Sequence, residues 1–139
     1  MRLLAAVAAA AAAVSLGGCT VGSVDDVKPG QTAIELQVES YLRALAQDQP
    51  ARACSKLTIY FQQSLTPSCA ARERQLASAR PLRFEGQALD VGSIDDLHWT
   101  IVVNGNFATA TGQYHQTAFK LQKVPGEGWQ IDSIGPAQG

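Results

Sequence analysis

Side chains able to do chemistry are few and scattered in this 139-residue chain. Three cysteines stand at Cys19, Cys54 and Cys69, and two histidines at His98 and His115. An odd number of thiols leaves one outside any set of intramolecular bridges. Cys19 is therefore a lone thiol, half of an intermolecular bridge, or a residue with a separate task. A metal centre asks for more ligands than two cysteines and two distant histidines, and a redox pair is expected closer together, as in a CxxC motif. No GxSxG nucleophile motif and no HExxH zinc motif occurs. Gly126-Glu127-Gly128 lies in a turn pattern rather than a phosphate-binding loop. We expect no catalytic residue set, no metal site and no cofactor.

The surroundings of Cys19 separate its three readings. Arg2 is followed by no ionisable group until Asp25, apart from the cysteine thiol itself, and Leu3 to Gly18 is an unbroken apolar and small-residue run. As a helix such a run of about 16 residues spans roughly 24 Å, short of a hydrocarbon core about 30 Å thick. The length and the leading positive charge fit a secretory leader over residues 1–18, to be set aside in reasoning about the fold. Its end, Leu16-Gly17-Gly18-Cys19, resembles the signal of bacterial lipoproteins. That resemblance implies a diacylglycerol joined to the Cys19 thiol, cleavage before it, and an extracytoplasmic, membrane-attached protein of the cell envelope. Each buried methylene contributes about 0.8 kcal/mol, and two or more chains anchor stably where one is marginal. With Cys19 assigned to lipid, Cys54 and Cys69 form an even pair in an oxidising compartment, where a disulfide is the default. Closing a loop of about 15 residues contributes about 3 kcal/mol in the chain-entropy picture.

Charge narrows the partners. Eleven basic and twelve acidic residues give a formal net charge of −1, without the basic surplus that neutralises phosphates, so no nucleic-acid partner is expected. Residues 19–31, the cysteine and "TVGSVDDVKPGQ", lack apolar periodicity and read as a tether. Beyond them lies one domain, residues 32–136.

The elements that position its side chains follow two rhythms. Thr32 and Glu35 fit a capping box, and Ile34, Val38, Tyr41, Leu42 and Leu45 recur at helical spacing, so a helix is expected over 33–47. Asp48 is the expected cap of a second helix opened by Pro50 and carrying Cys54, Leu57 and Phe61. Thr66 and Pro67 are expected to start a third helix ending before Pro81, so that the disulfide staples the second helix to the third. Arg72, Arg74, Arg80 and Arg83, opposed only by Glu73, read as a solvated helix face, with contact to anionic headgroups as the alternative. From Phe84 the period becomes two. A hairpin turning at Asn104-Gly105 would put Trp99, Ile101 and Val103 on one face with Ala108 and Ala110. Phe119, Leu121, Trp129 and Ile131 are expected to face inward around a turn at "PGEG", with His98 and Asp132 outward. Helices first and an antiparallel sheet after is an α+β pattern.

Taken together, "ESYLRAL", "QDQPARAC" and the closing Phe119–Ile134 segment resemble small lipoproteins of the NTF2-like (cystatin-like, SnoaL-like) group over about residues 31–135. The resemblance implies N-terminal helices packed against a curved antiparallel sheet, a cone with a pocket. Tyr41, Leu45, Phe61, Trp99, Phe119 and Trp129 are its candidate lining. Relatives with this cone include isomerases and dehydratases with polar groups inside it. The groups on offer here are Tyr41, Tyr60, Asp90, His98, His115 and Asp132, of which Tyr41 is placed best. The expected role is binding of a small apolar ligand or an envelope protein, with a tethered enzyme and a non-catalytic accessory subunit as alternatives. Homodimerisation through the outer sheet face is a further expectation.

Overall fold

A computed structural model describes residues 32–137. The leader, Cys19 and the tether lie outside the described residues. Helices α1 (Ala33–Ala46), α2 (Pro50–Cys54), α3 (Ile59–Ser64) and α4 (Cys69–Ser78) come first. A ribbon of β1 (Arg83–Phe84) and β2 (Gln87–Ala88) and the short α5 (Val91–Ile94) follow. Strands β3 (Trp99–Asn104), β4 (Phe107–Gly112), β5 (Thr117–Val124) and β6 (Gly128–Pro136) then form an antiparallel sheet in that order. The class is mixed helix and strand, as the two rhythms require.

Helix α1 starts where its cap dictates: the Thr32 hydroxyl accepts from the Glu35 amide at 3.2 Å. Its apolar stripe, Ile34, Val38, Tyr41, Leu42 and Leu45, is buried throughout. Beyond it the helical expectations need correcting. Asp48 takes φ +57°, a left-handed turn that carries the chain out of α1, and Gln49 stands at the start of α2 without a side-chain cap. The expected second helix is two pieces, because Leu57 leaves the helical path to bridge Ile131 of β6 in parallel. The Thr58 amide donates to the Ile131 carbonyl at 2.8 Å, and the Ile131 amide donates to the Lys56 carbonyl at 2.9 Å. Thr58 then caps α3 through the Phe61 amide. Ser68, not Thr66, caps α4 by accepting from the Ala71 amide. That start puts Cys69 in the first turn, 6.0 Å from Cys54 between Cα atoms and disulfide-bonded to it.

The hairpin register differs by two residues from the expected one. Asn104 pairs with Phe107, so Gly105 and Asn106 make the turn. Gly105 takes φ +64°, the demand of the first central position of a type II′ turn. A shift of two keeps every side chain on its face. Ala108 and Ala110 are buried opposite Val103 and Ile101, and Gly112 opposite Trp99. In β6, Leu121 pairs with Ile131 but Lys120 with Ser133, so Asp132 is an extra residue. This bulge resets the alternation. Ile131 and Ile134, three residues apart, both pack against the core. Phe119, Leu121 and Ile131 meet Val38, Ala53 and Ile94 there, each at most 1 % exposed.

Candidate functional site

A cavity of about 330 Å³ lies among the helices, the β1 segment and the sheet. Helix α1 contributes Tyr41, Leu42 and Leu45, α3 and the loop after it Phe61 and Leu65, and α4 Arg72, Glu73 and Leu76. Leu82, Arg83 and Phe84 wall it from the β1 side, and Thr117, Phe119 and Ile134 from the sheet. A concave, largely apolar surface with few polar groups is the ordinary form of a small-molecule site. A larger depression, about 400 Å³, lies on the outer sheet face among Thr109, Thr111, Lys120 and Ser133. Its lining is mostly small and polar, and its single titratable side chain, Lys120, meets no second group with which to do chemistry.

The buried polar side chains of the inner cavity form one pair, Tyr41 and Glu73, while Arg72 and Arg83 are exposed. The Tyr41 hydroxyl donates to Glu73 Oε2 at 2.8 Å, tying α1 to α4 across 32 residues. Both residues are almost wholly buried. Burial raises the Glu73 pKa above the usual carboxylate range, against the opposing pull of the Tyr41 hydrogen bond and the Arg72 charge. Burial first, and then Glu73, raise that of Tyr41. Tyr41 is thereby held as a hydrogen-bond donor, and Glu73 becomes a group able to carry a proton nearer neutrality than an exposed glutamate. The Tyr41 ring meets Phe119 edge-on, with centroids 6.2 Å apart.

Four of the six residues expected to line a pocket do so: Tyr41, Leu45, Phe61 and Phe119. The two tryptophans do not. Trp99 stacks with Phe84 and Phe119 at 5.7 Å from each, and its indole N–H is drawn to Glu39 Oε2 at 3.0 Å. A half-buried indole needs that partner, and finding it on α1 turns the ring away from the cavity. Trp129 sits beside Lys123 near the end of the sheet and is only partly buried. The other polar candidates stay apart. Tyr60 is 76 % exposed, Asp90 caps α5 through the Ser93 amide, and His98 and His115 are exposed. Asp132 is not simply solvated: its bulge aims a carboxylate oxygen at the Thr58 hydroxyl, 2.8 Å away.

Three buried carboxylates escaped the sequence reading. Glu73 sits in "ARERQLA", where flanking arginines suggest a solvated face. The signal that finds it is helical spacing: Cys69, Glu73 and Ala77 lie four apart, and Cys69 must turn inward for its bridge. Glu39 accepts from Trp99 and pairs with Arg43, which also reaches Asp95. Glu85, at φ +51°, accepts from the amides of Tyr114, Gln116 and Thr117 at 3.1, 2.7 and 2.6 Å. It thereby pins the β1–β2 ribbon, and with it the Leu82–Phe84 wall, to the loop between β4 and β5. Gly112 makes this approach feasible, since a Cβ there would collide with the Glu85 carboxylate.

Among the described residues no group of three or more histidine, cysteine, aspartate or glutamate side chains could hold a metal ion. No described helix is long and apolar enough to cross a membrane. Compared with protein-family models, curated proteins and solved structures, the chain gives no match.

Proposed function

We propose that this chain is a lipoprotein of a bacterial cell envelope, anchored through lipid on Cys19, whose NTF2-like domain binds a small and mainly apolar ligand. The observation that carries the ligand reading is the largely apolar cavity with one buried polar pair, Tyr41–Glu73, in its wall. The anchor reading rests on Leu16-Gly17-Gly18-Cys19 at the end of an apolar run too short to span a bilayer. The disulfide suits an oxidising compartment. A second reading, a tethered enzyme of the isomerase or SnoaL-like kind, is favoured by the same pair. A buried carboxylate of raised pKa beside a donating hydroxyl is an acid–base couple facing a cavity.

Intact mass spectrometry of the chain purified from membranes tests the proposal. Under denaturing conditions the expected mass is that of a chain beginning at Cys19 and carrying diacylglycerol, about two daltons lighter than its reduced form. Under native conditions an added mass that denaturation removes is expected. An unlipidated chain would overturn the anchor. A clean apo mass would move the role toward a partner protein.

A further inference from the structure

The cavity has an electrical character that its apolar walls conceal. Three charged side chains line it, and they are not equivalent. Glu73 is 2 % exposed and engaged by Tyr41. Arg72 and Arg83 are solvent-exposed residues at its rim. Among the described residues neither arginine lies within 4 Å of a carboxylate. Arg83 has only a long contact, 3.4 Å, to the Gly86 carbonyl. Of the other described arginines, Arg74 is exposed and does not line the cavity, and the remaining three are engaged. Arg43 pairs with Glu39 and Asp95, Arg52 donates to Gln49, and Arg80 is spent on the Ala77 and Ala79 carbonyls. The two guanidiniums at the cavity thus keep their donor forks available on the side where a ligand enters.

We infer that the ligand is an anionic amphiphile, a medium-length acyl chain ending in a carboxylate, with its tail inside and its head between Arg72 and Arg83. This rests on the ligand-binding reading above and specifies it. Charge complementarity decides the head. The rim offers two fixed positive charges, while the one negative group is buried, hydrogen-bonded and displaced by burial toward its neutral form. A cationic head would meet the arginines before it met Glu73. Guanidinium forks match a carboxylate in two parallel hydrogen bonds, which a neutral alcohol cannot supply. Volume decides the tail. At about 30 Å³ per water-sized atom, the 330 Å³ cavity holds on the order of ten non-hydrogen atoms. Leu45, Phe61, Leu65 and Leu76 provide its apolar sleeve.

The test uses the full chain carrying Cys19→Ser, titrated calorimetrically at pH 8 with three probes of equal tail: decanoate, decan-1-ol and decylammonium, each below its micelle concentration. Decanoate is expected to bind at least tenfold more tightly than the other two. Arg72→Gln with Arg83→Gln should abolish that preference while leaving decanol within twofold. Arg72→Glu with Arg83→Glu should reverse it in favour of decylammonium. Equal binding of the three probes, or decanoate affinity unchanged in the glutamine variant, overturns the anionic head and leaves an apolar site standing. No binding of any probe overturns the ligand-binding reading itself.

Discussion

Glu73 shows how one side chain can couple a cavity to pH. Its pKa in the folded chain is raised mainly by burial, so the native state holds the proton more tightly than the unfolded chain does. The stability this contributes is complete below the ordinary glutamate range and is lost as pH rises through the raised value. Glu73→Gln keeps an acceptor for the Tyr41 hydroxyl and removes the charge. The variant should therefore melt a few degrees above wild type at pH 8, and the gap should narrow on acidification and close only below the ordinary glutamate range. Thermal melts from pH 8 to below that range read the difference directly, and a constant gap would contradict the burial. Tyr41→Phe acts in the opposite sense, because it strips the carboxylate of its donor. Its penalty should be largest at pH 8 and shrink on acidification.

Glu85 carries a different kind of weight. Three backbone N–H groups converge on one nearly buried carboxylate. Unsatisfied buried donors cost about 1–3 kcal/mol apiece, fewer where water can enter. Glu85→Ala should lower stability by about 3 kcal/mol and speed amide exchange at Gln116 and Thr117. Gly112→Ala should act on the same contact from the other side, since the new methyl group displaces the carboxylate. The double variant should then lose clearly less than the sum of the two singles, which chemical denaturation of all four proteins would measure.

At the scale of elements, α4 is a cavity wall held by one covalent and one polar link. It reaches α2 through Cys54–Cys69 and α1 through Tyr41–Glu73, and it supplies Arg72, Glu73 and Leu76 to the lining. Replacing both Cys54 and Cys69 by serine should cost about 3 kcal/mol. The loss should concentrate in α4, whose amides should exchange faster while those of β5 keep their order of protection. Equal acceleration everywhere would mean that the bridge serves the whole fold and not this wall. What could be read of the elements from sequence follows the reach of their causes. Thr32 and the stripe behind it act within a few residues, so α1 came out almost complete. The split of the second helix could not be seen, because its cause is Ile131, in a strand remote along the chain. The bulge at Asp132 was hidden for the same reason, since alternation by itself contains no signal for a residue that skips its turn.

For the whole molecule, the layers and the four-stranded sheet were legible because period and punctuation change together near Phe84. The candidate site was half legible. Tyr41, Leu45, Phe61 and Phe119 announce themselves as apolar-face residues, and they line the cavity. Glu73 did not, because a charged residue among arginines resembles surface until the neighbouring helix is in place. Trp99 and Trp129 misled in the opposite direction: large rings read as pocket, while one is recruited by Glu39 and the other lies at the sheet's end.

The parallel bridge between Leu57 and Ile131 also has a consequence in time. The Thr58 hydroxyl and the Asp132 carboxylate that flank it are 74 residues apart. At roughly 5–20 residues per second of synthesis, the first exists for about 4–15 s before the second is made. Throughout that interval β6, the strand that Leu57 bridges, is missing. The thiols of Cys54 and Cys69, only 15 residues apart, are both present early in it. Their bridge needs nothing that comes later. In an oxidising compartment the covalent staple of the helical layer thus needs no part of the sheet to close.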